Sequence, residues 1–449
     1  MQRMMVMGMG ITGRAVATAL QRRSIDVVAL DDRLSEDLLS WATHNNLAVH
    51  SPADVDIDAV LRDVDGVVPA PGLPDHHPLF SAAVKAGAPI MSEFDLAARW
   101  DDRPTVAVTG TDGKTTVVTL VERMLERSGI PAKAVGNTDT PWVQAIDDAS
   151  TEVFVVEASS FRLGHSQHFA PNVATWLNFG PDHLDAHHDL RTYEHAKAAI
   201  WAHLEPGALA IANRDDPVVL THARALIDVD VQTFGAGAPP SSSDHGVVDG
   251  ALISGGQQLV AVSELRRSLP HDIVNGLAAS ATAQRVGAQP AAIAQVLREF
   301  DGLAHRVEFI TEINGVRYVN DSKATTPHAA AAALGGFDSV VLLAGGKNKG
   351  LAFDDMVAHA DRITHVVAIG DAAHDIGAAF DGLVPVTTAT SMEQAISQAS
   401  DAASPGDVVL LSPACASYDW YRSYIHRGED FARLVRARLT AQGERGRTR

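Results

Sequence analysis

Twice in this chain a short apolar run stops at a glycine turn and passes into a helical pattern: 3-RMMVMGMGITGRAVATALQRR-23 and 104-PTVAVTGTDGKTTVVTLVERML-125. A strand that ends this way and feeds a helix is the repeating unit of open parallel α/β sheets. The helix start it creates presents unpaired backbone N–H groups to an anion. The alternation continues along the chain. DVVALDD, GVVPAPG, TEVFVVEAS, NVATWLNF, ALAIAN, VVLLAGG, THVVAIG, VPVTTAT and DVVLLSPA read as buried strands. RAVATALQRRS, TYEHAKAAIWAHL, HDIVNGLAASATAQRVG and SMEQAISQASDAA read as helices between them.

At 449 residues the chain exceeds what one core organises. The polar break WDDRP and a fresh alternating series from about residue 301 predict an α/β protein of three domains. These are a Rossmann-like N-terminal domain (1–100), a central P-loop ATPase-type α/β domain (101–300) and a C-terminal Rossmann-like α/β domain (301–449). Within the central one, GAGAPPSSSDHG has loop composition and VVDGALISGGQQLVAV predicts an edge hairpin.

A net charge of −19 would repel nucleic acid and anionic membrane surfaces, so neither is expected as a partner. The basic end RLVRARLTAQGERGRTR reads as a solvated last helix with a frayed tail. A single cysteine, Cys415, rules out an internal disulfide and fits a reducing compartment. The opening residues do not resemble a signal peptide, and no apolar run approaches a membrane span, so the expected address is the cytoplasm.

Gly8, Gly10 and Gly13 form G-x-G-x-x-G between strand and helix, and Asp31 and Asp32 end the next strand. From spacing alone this is a dinucleotide fingerprint and NAD is the first guess, the alternative being a turn that only packs helix on strand. The second turn, Gly110-Thr111-Asp112-Gly113-Lys114-Thr115-Thr116, lacks the first glycine of a full P-loop, Val108 standing there. It keeps backbone N–H groups for phosphate, a lysine for the β/γ oxygens and a hydroxyl for Mg²⁺. Glu157 ends a buried strand, where a carboxylate is costly unless a cation meets it; the alternative is a cap for the following SSF segment. His183 and His187 have i,i+4 spacing, but without cysteines a histidine beside Mg²⁺ or phosphate is the better reading than zinc. Lys197, among alanines, reads on its own as a snorkelling surface lysine.

Taken together, GTDGKTT, GNTDTP, EASSFRL, NFGPDHLD, EHAKAAI, VNGLAASA, AHRVE and VNDSKATTPHA resemble the Mur ligase family, ATP-dependent amide ligases of peptidoglycan precursor synthesis. NDSKAT, LAGGKNKG and LLSPACASYDWY resemble the member that adds D-glutamate to UDP-N-acetylmuramoyl-L-alanine, and no DNPR segment is present. The resemblance reassigns the first turn from NAD to the UDP of the precursor. It implies UDP-substrate contacts at Ile11, Thr12, Asp31, Asp32, Arg33, Gly72, Asn137, Ser159 and His183. It implies ATP contacts at Gly110 through Thr116, Asn275, Arg306 and Asp321. Thr115, Glu157, His183 and Lys197, the last as a carbamate, become the Mg²⁺ site, with Lys114, His183 and Lys197 in catalysis. Lys323, Thr325, Lys347, Ser417 and Tyr424 become the D-glutamate positions, and a monomer is expected. The chain departs from the family's usual pattern with Asp112 for asparagine, Ala70 for serine, Arg162 for glutamine and Tyr424 for phenylalanine. The rival readings are an NAD-dependent oxidoreductase, a folylpolyglutamate synthase-like ligase and a nucleotide-regulated binding protein. The first leaves GTDGKTT and Glu157 without a task; the second has no need of the first glycine turn; ATP binding without turnover would favour the third.

Overall fold

In the computed structural model, which describes residues 1–183 and 186–447, the first apolar run forms strand β1 (Arg3–Met7). It pairs in parallel with β2 (Asp26–Leu30) and β4 (Val67–Pro69), and β3 (Val49–His50) extends the sheet in the order β3-β2-β1-β4. The second apolar run is β5 (Thr105–Thr109), inside a nine-stranded sheet. Its other strands are β6 (Ala132–Gly136), β7 (Val153–Glu157), β8 (Val173–Trp176), β9 (Leu209–Asn213), β10 (Asp230–Phe234), β11 (His245–Val248), β12 (Ala251–Ser254) and β13 (Gln257–Ala261). The order is β13-β12-β11-β10-β9-β8-β5-β7-β6, parallel as far as β11.

Both sheets lie in one compact unit made of Met1–Phe179, His183–Arg266 and Ile273–Phe300. The predicted edge hairpin is the antiparallel run β11-β12-β13. Its two-residue turns put Asp249 at φ 49° and Gly250 at 71°, then Gly255 at 56° and Gly256 at 75°, the left-handed pairs that match strand twist.

A second unit comprises Gly180–Asp182, Arg267–Asp272 and Asp301–Arg449. Its six strands are β14 (Glu308–Ile313), β15 (Val316–Asn320), β16 (Val340–Gly345), β17 (Ile363–Ile369), β18 (Val386–Ala389) and β19 (Val408–Leu411), ordered β14-β15-β19-β16-β17-β18. Only β14 is antiparallel, joined to β15 by Asn314-Gly315, both at positive φ. This Asn-Gly signal is absent from the strand reading above, in which VVLLAGG is the first strand named after residue 301. Alternate residues of β16 enter different cores: Leu342 and Ala344 pack on one face, Val341 and Leu343 on the other. Burial on both faces is why parallel strands read as continuous apolar runs.

The last helix, Tyr424–Arg447, is docked through Phe431 and Val435 at its start rather than solvated throughout, and residues 448–449 of its expected tail lie outside the described residues. No helix among the described residues is long and apolar enough to cross a membrane.

His245, the first residue of β11, is buried between Ser254 Oγ (2.7 Å) and Gln232 Oε1 (3.1 Å). Burial pushes its imidazole down to about 4, against the attraction of Asp244. The unfolded chain takes up this proton near pH 6.5, so the fold loses stability as pH falls from there toward 4, by up to about 3 kcal/mol. Denaturant midpoints between pH 4 and 7 should fall on acidification in the wild type, and less steeply in His245→Gln.

Candidate active site

In each unit, many of the residues singled out above stand at the C-terminal ends of parallel strands or at the helix starts that follow them. At the end of β1, Gly8 has φ 87°, and a Cβ there would lie 2.6 Å from Ala70 Cβ. A Cβ on Gly13 would stand 1.9 Å from the Gly8 carbonyl oxygen, whereas Gly10 faces open space. Two of the three glycines are therefore packing requirements, and Gly10 alone caps the helix Ile11–Arg22, with no side-chain bond. Asp31 braces the turn, accepting from the backbone N–H of Met9 (2.5 Å) and Arg33 (2.8 Å). Asp32 lies 3.3 Å from His77 Nε2, Ile11 is exposed, and Gly72 has no neighbour where a Cβ would project.

The second turn lies between β5 and the helix Lys114–Arg127. Lys114 Nζ folds over it, donating to the carbonyls of Gly110 (2.7 Å) and Thr111 (2.8 Å). Asn178 clamps the loop: its Oδ1 accepts from Asp112 N (2.9 Å) and its Nδ2 donates to Asp112 O (3.2 Å). A Cβ on Gly113 would meet Asn275 Oδ1 at 2.7 Å, which places Asn275 against the turn.

Lys197 is 1% exposed, not a snorkelling surface residue. Its helix, Leu190–Ala198, lays it 4.6 Å from the centre of the Tyr193 ring, and its Nζ donates to the same Gly110 carbonyl at 2.7 Å. Two lysines thus converge on one oxygen. Tyr193, which the sequence reading did not single out, places its hydroxyl 3.3 Å from that of Thr111.

Parallel pairing of β5 with β7 sets Glu157 beside Val108, at the root of the phosphate turn. It is 3% exposed; Oε1 accepts from Asn137 Nδ2 (3.0 Å), and buried Oε2 has no hydrogen-bond partner among the described residues. Ser159, not Glu157, occupies the N-cap position of the short helix Ser160–Leu163, so the capping alternative for Glu157 fails, and Ser159 Oγ is likewise buried without a partner among the described residues. An orphaned, buried carboxylate oxygen is a hard donor of the kind a divalent cation takes. Lys197 as an ammonium can only donate and would serve such a cation only as a carbamate.

His183, at φ 55°, packs edge-on against Phe161 and Tyr193. Its i+4 neighbour His187 has both nitrogens engaged, Nδ1 3.1 Å from Asp75 Oδ2 and Nε2 2.9 Å from Ser160 Oγ. That Ser-His-Asp line resembles a hydrolase triad, but Ser160 is 2% exposed and closed to a substrate carbonyl. Leu184 and Asp185 of NFGPDHLD lie outside the described residues.

Arg162 was noted in the sequence only as a departure. Buried beneath the site, it donates from Nη1 to Asn137 Oδ1 (3.0 Å) and from Nη2 to Thr12 Oγ1 (2.9 Å), with Nε 3.3 Å from Glu93 Oε1. Burial pushes the Glu93 carboxyl up and the Arg162 guanidinium down, and each opposite charge pulls the other back.

In the second unit, the ends of β15, β19 and β16 adjoin and bring the remaining residues together. Asp321 accepts from Val307 N (3.1 Å) and Ser412 Oγ (2.8 Å), bracing the loop in which Arg306 stands between His305 (φ 62°) and Val307 (φ 48°). Lys323 Nζ lies 4.0 Å from the Tyr424 ring centre. Exposed Lys347 pairs by backbone with Ala416, next to buried Ser417, and Thr325 is half-buried before the helix Pro327–Leu334. Arg427, absent from the sequence reading, is 1% exposed and donates to Ser322 Oγ (3.0 Å) and to the carbonyls of Ser322 (2.8 Å) and Cys415 (3.1 Å). It ties the NDSKAT and SPACAS loops from below.

Residues 2–92 match the MurD-like N-terminal domain of Mur ligases, 108–258 the Mur ligase middle domain and 305–415 the Mur ligase glutamate ligase domain. The UDP-N-acetylmuramoylalanine–D-glutamate ligase of Frankia casuarinae is 41% identical over 97% of this chain and 94% of its own. The chain belongs to the Mur ligase family. The like-named ligase of Legionella pneumophila is 36% identical over 96% of this Mur ligase and 98% of its own length. The fold is that of the UDP-N-acetylmuramate-alanine ligase MurC from Thermotoga maritima (TM-score 0.59, 19% identity, 97% and 100% of the two chains). MurF from Acinetobacter baumannii is similar to the same degree (TM-score 0.59, 18% identity, 96% and 90%).

The glycines of the first turn divide by what stands in front of them. Gly13→Ala should lower the unfolding free energy of this Mur ligase by more than about 3 kcal/mol, since the obstacle is backbone rather than a movable side chain. Gly10→Ala should cost no more than about 1 kcal/mol, the difference between these residues at a helix N-cap. Urea unfolding of both variants checks the contrast.

Proposed function

We propose that this Mur ligase adds D-glutamate to UDP-N-acetylmuramoyl-L-alanine at the expense of ATP, in cytoplasmic peptidoglycan precursor synthesis and as a monomer. The observation that carries the reading is the convergence of Lys114 and Lys197 on the Gly110 carbonyl, with the orphaned Glu157 oxygen at the neighbouring strand end. The names of the relatives supply the substrates. Residues 1–100 hold the UDP end, through Ile11, Thr12, Asp31, Asp32, Arg33 and Gly72. Residues 101–300 hold ATP through Gly110–Thr116 and Asn275, and the reacting end of the precursor through Asn137, Ser159 and His183. Residues 301–449 supply Arg306 and Asp321 to ATP and take D-glutamate with Lys323, Thr325, Lys347, Ser417 and Tyr424.

In the reaction, an oxygen of the L-alanyl carboxylate attacks the γ-phosphorus of ATP, and the bond to the bridging oxygen breaks to release ADP. Lys114 stabilises the charge on the moving phosphoryl group, and the backbone N–H groups of the turn hold the phosphates in line. The amine of D-glutamate, after losing a proton, adds to the acyl phosphate, and phosphate leaves as the amide forms. Lys323 and Lys347 offset the two carboxylates of D-glutamate in an acidic protein. Thr115, Glu157, His183 and carbamylated Lys197 would hold Mg²⁺, which neutralises phosphate charge when bound. A carbamate requires CO₂ to add to a neutral amine, and seclusion of Lys197 from water favours that form of the amine.

Phosphate release should require ATP, Mg²⁺, UDP-N-acetylmuramoyl-L-alanine and D-glutamate together. Turnover with another amino acid in place of D-glutamate would redirect the substrate assignment. Lys114→Ala should abolish turnover. Lys197→Ala should lose most of it and recover in part with added acetate or formate, whereas full activity without rescue would reject the carbamate.

A further inference from the structure

We propose that Arg162 is a positioning residue: it dictates the orientation of the Asn137 amide and so leaves Glu157 Oε2 as the open oxygen for a divalent cation. This rests on the reading of Glu157 as a metal ligand. A guanidinium has only donors, so Asn137 must turn its oxygen toward Arg162 Nη1 (3.0 Å) and its NH₂ toward Glu157 Oε1 (3.0 Å). One carboxylate oxygen is occupied and the other remains bare. Among the described residues Arg162 makes no hydrogen bond to that oxygen: its Nε lies against Glu93, its Nη2 holds Thr12 in the first turn of the helix behind the UDP turn, and its charge reaches Glu157 only through space. Glu93, Arg162 and Glu157 are each at most 5% exposed. Two carboxylates thus share one guanidinium. A glutamine at 162 could offer either oxygen or amide and would leave the Asn137 orientation undetermined. Affinity for the cation therefore depends on a residue that does not touch it, and that same residue grips the first glycine-turn helix.

The test is Mn²⁺ binding to the ADP complex of the full chain, followed by electron paramagnetic resonance, beside calorimetry of ADP without metal. Arg162→Met should weaken Mn²⁺ binding by about tenfold or more while metal-free ADP binding stays at the wild-type value. Arg162→Lys, also a pure donor, should lose less. A folded Arg162→Met protein with wild-type Mn²⁺ affinity overturns the proposal. Should that variant fail to fold because Glu93 is left unpaired, Asn137→Ala keeps the Glu93–Arg162 pair. It should show the same loss, and wild-type affinity there overturns the proposal equally. Glu157→Gln separates the two layers. If it binds Mn²⁺ normally, the metal reading of Glu157 falls and the proposal with it; if it alone loses Mn²⁺, only the role of Arg162 falls.

Discussion

A helix start can approach the end of its own strand only where no Cβ intervenes, and that constraint shapes both units. At the first turn the obstacle to a Gly13 side chain is the carbonyl of Gly8; at the second, Gly113 abuts Asn275. In the C-terminal sheet, Gly345 and Gly346 sit at φ 126° and 130°, where a Cβ would lie 2.0 Å from Ile369 O and 2.4 Å from Ala416 O. Each contact brings a helix start or a neighbouring loop to a strand end, where backbone N–H groups can face a ligand.

The charges follow the same geometry. The chain carries a net −19, yet the phosphate turn gathers Lys114 and Lys197 on one carbonyl, and in the cluster behind it a buried guanidinium contacts Glu93 and acts on Glu157 only through space. A buried pair such as Glu93–Arg162 contributes little net stability, whereas removing one partner strands a buried charge at about 3–5 kcal/mol. Such a pair is better understood as fixing Thr12 and Asn137 in place than as a source of stability. Arg427 acts in parallel in the second unit, where burial lowers its guanidinium to about 10 and its N–H groups hold the carbonyls of two loops.

Much of this was legible along the chain. The apolar runs became strands because parallel strands are buried on both faces, and the glycine turns lay where a period of two gives way to 3.6. The turns at Asp249-Gly250 and Asn314-Gly315 carried an equally local signal, although only the first hairpin was read from it. Lys197 was misread from its neighbours alone, because alanines on a helix do not reveal which face is covered; its burial came from Tyr193 and a loop 87 residues away in sequence. Arg162 showed in the sequence only as a departure and Tyr193 and Arg427 gave no warning, since each works by contacts between distant segments.

What the sequence by itself determined is the alternation of strand and helix, the position of each glycine turn and the residue types available to a phosphate, a cation and a dicarboxylate. Those are local properties, set by side-chain period and by the absence of a Cβ. Only the tertiary structure decided that Lys114 and Lys197 meet on one oxygen, that Asn137 faces Glu157 with its NH₂, and that one oxygen of Glu157 is left bare. Hydrogen-bond partners and desolvation depend on which segments pack together, and strand order in the sheet, rather than nearness in the chain, sets that.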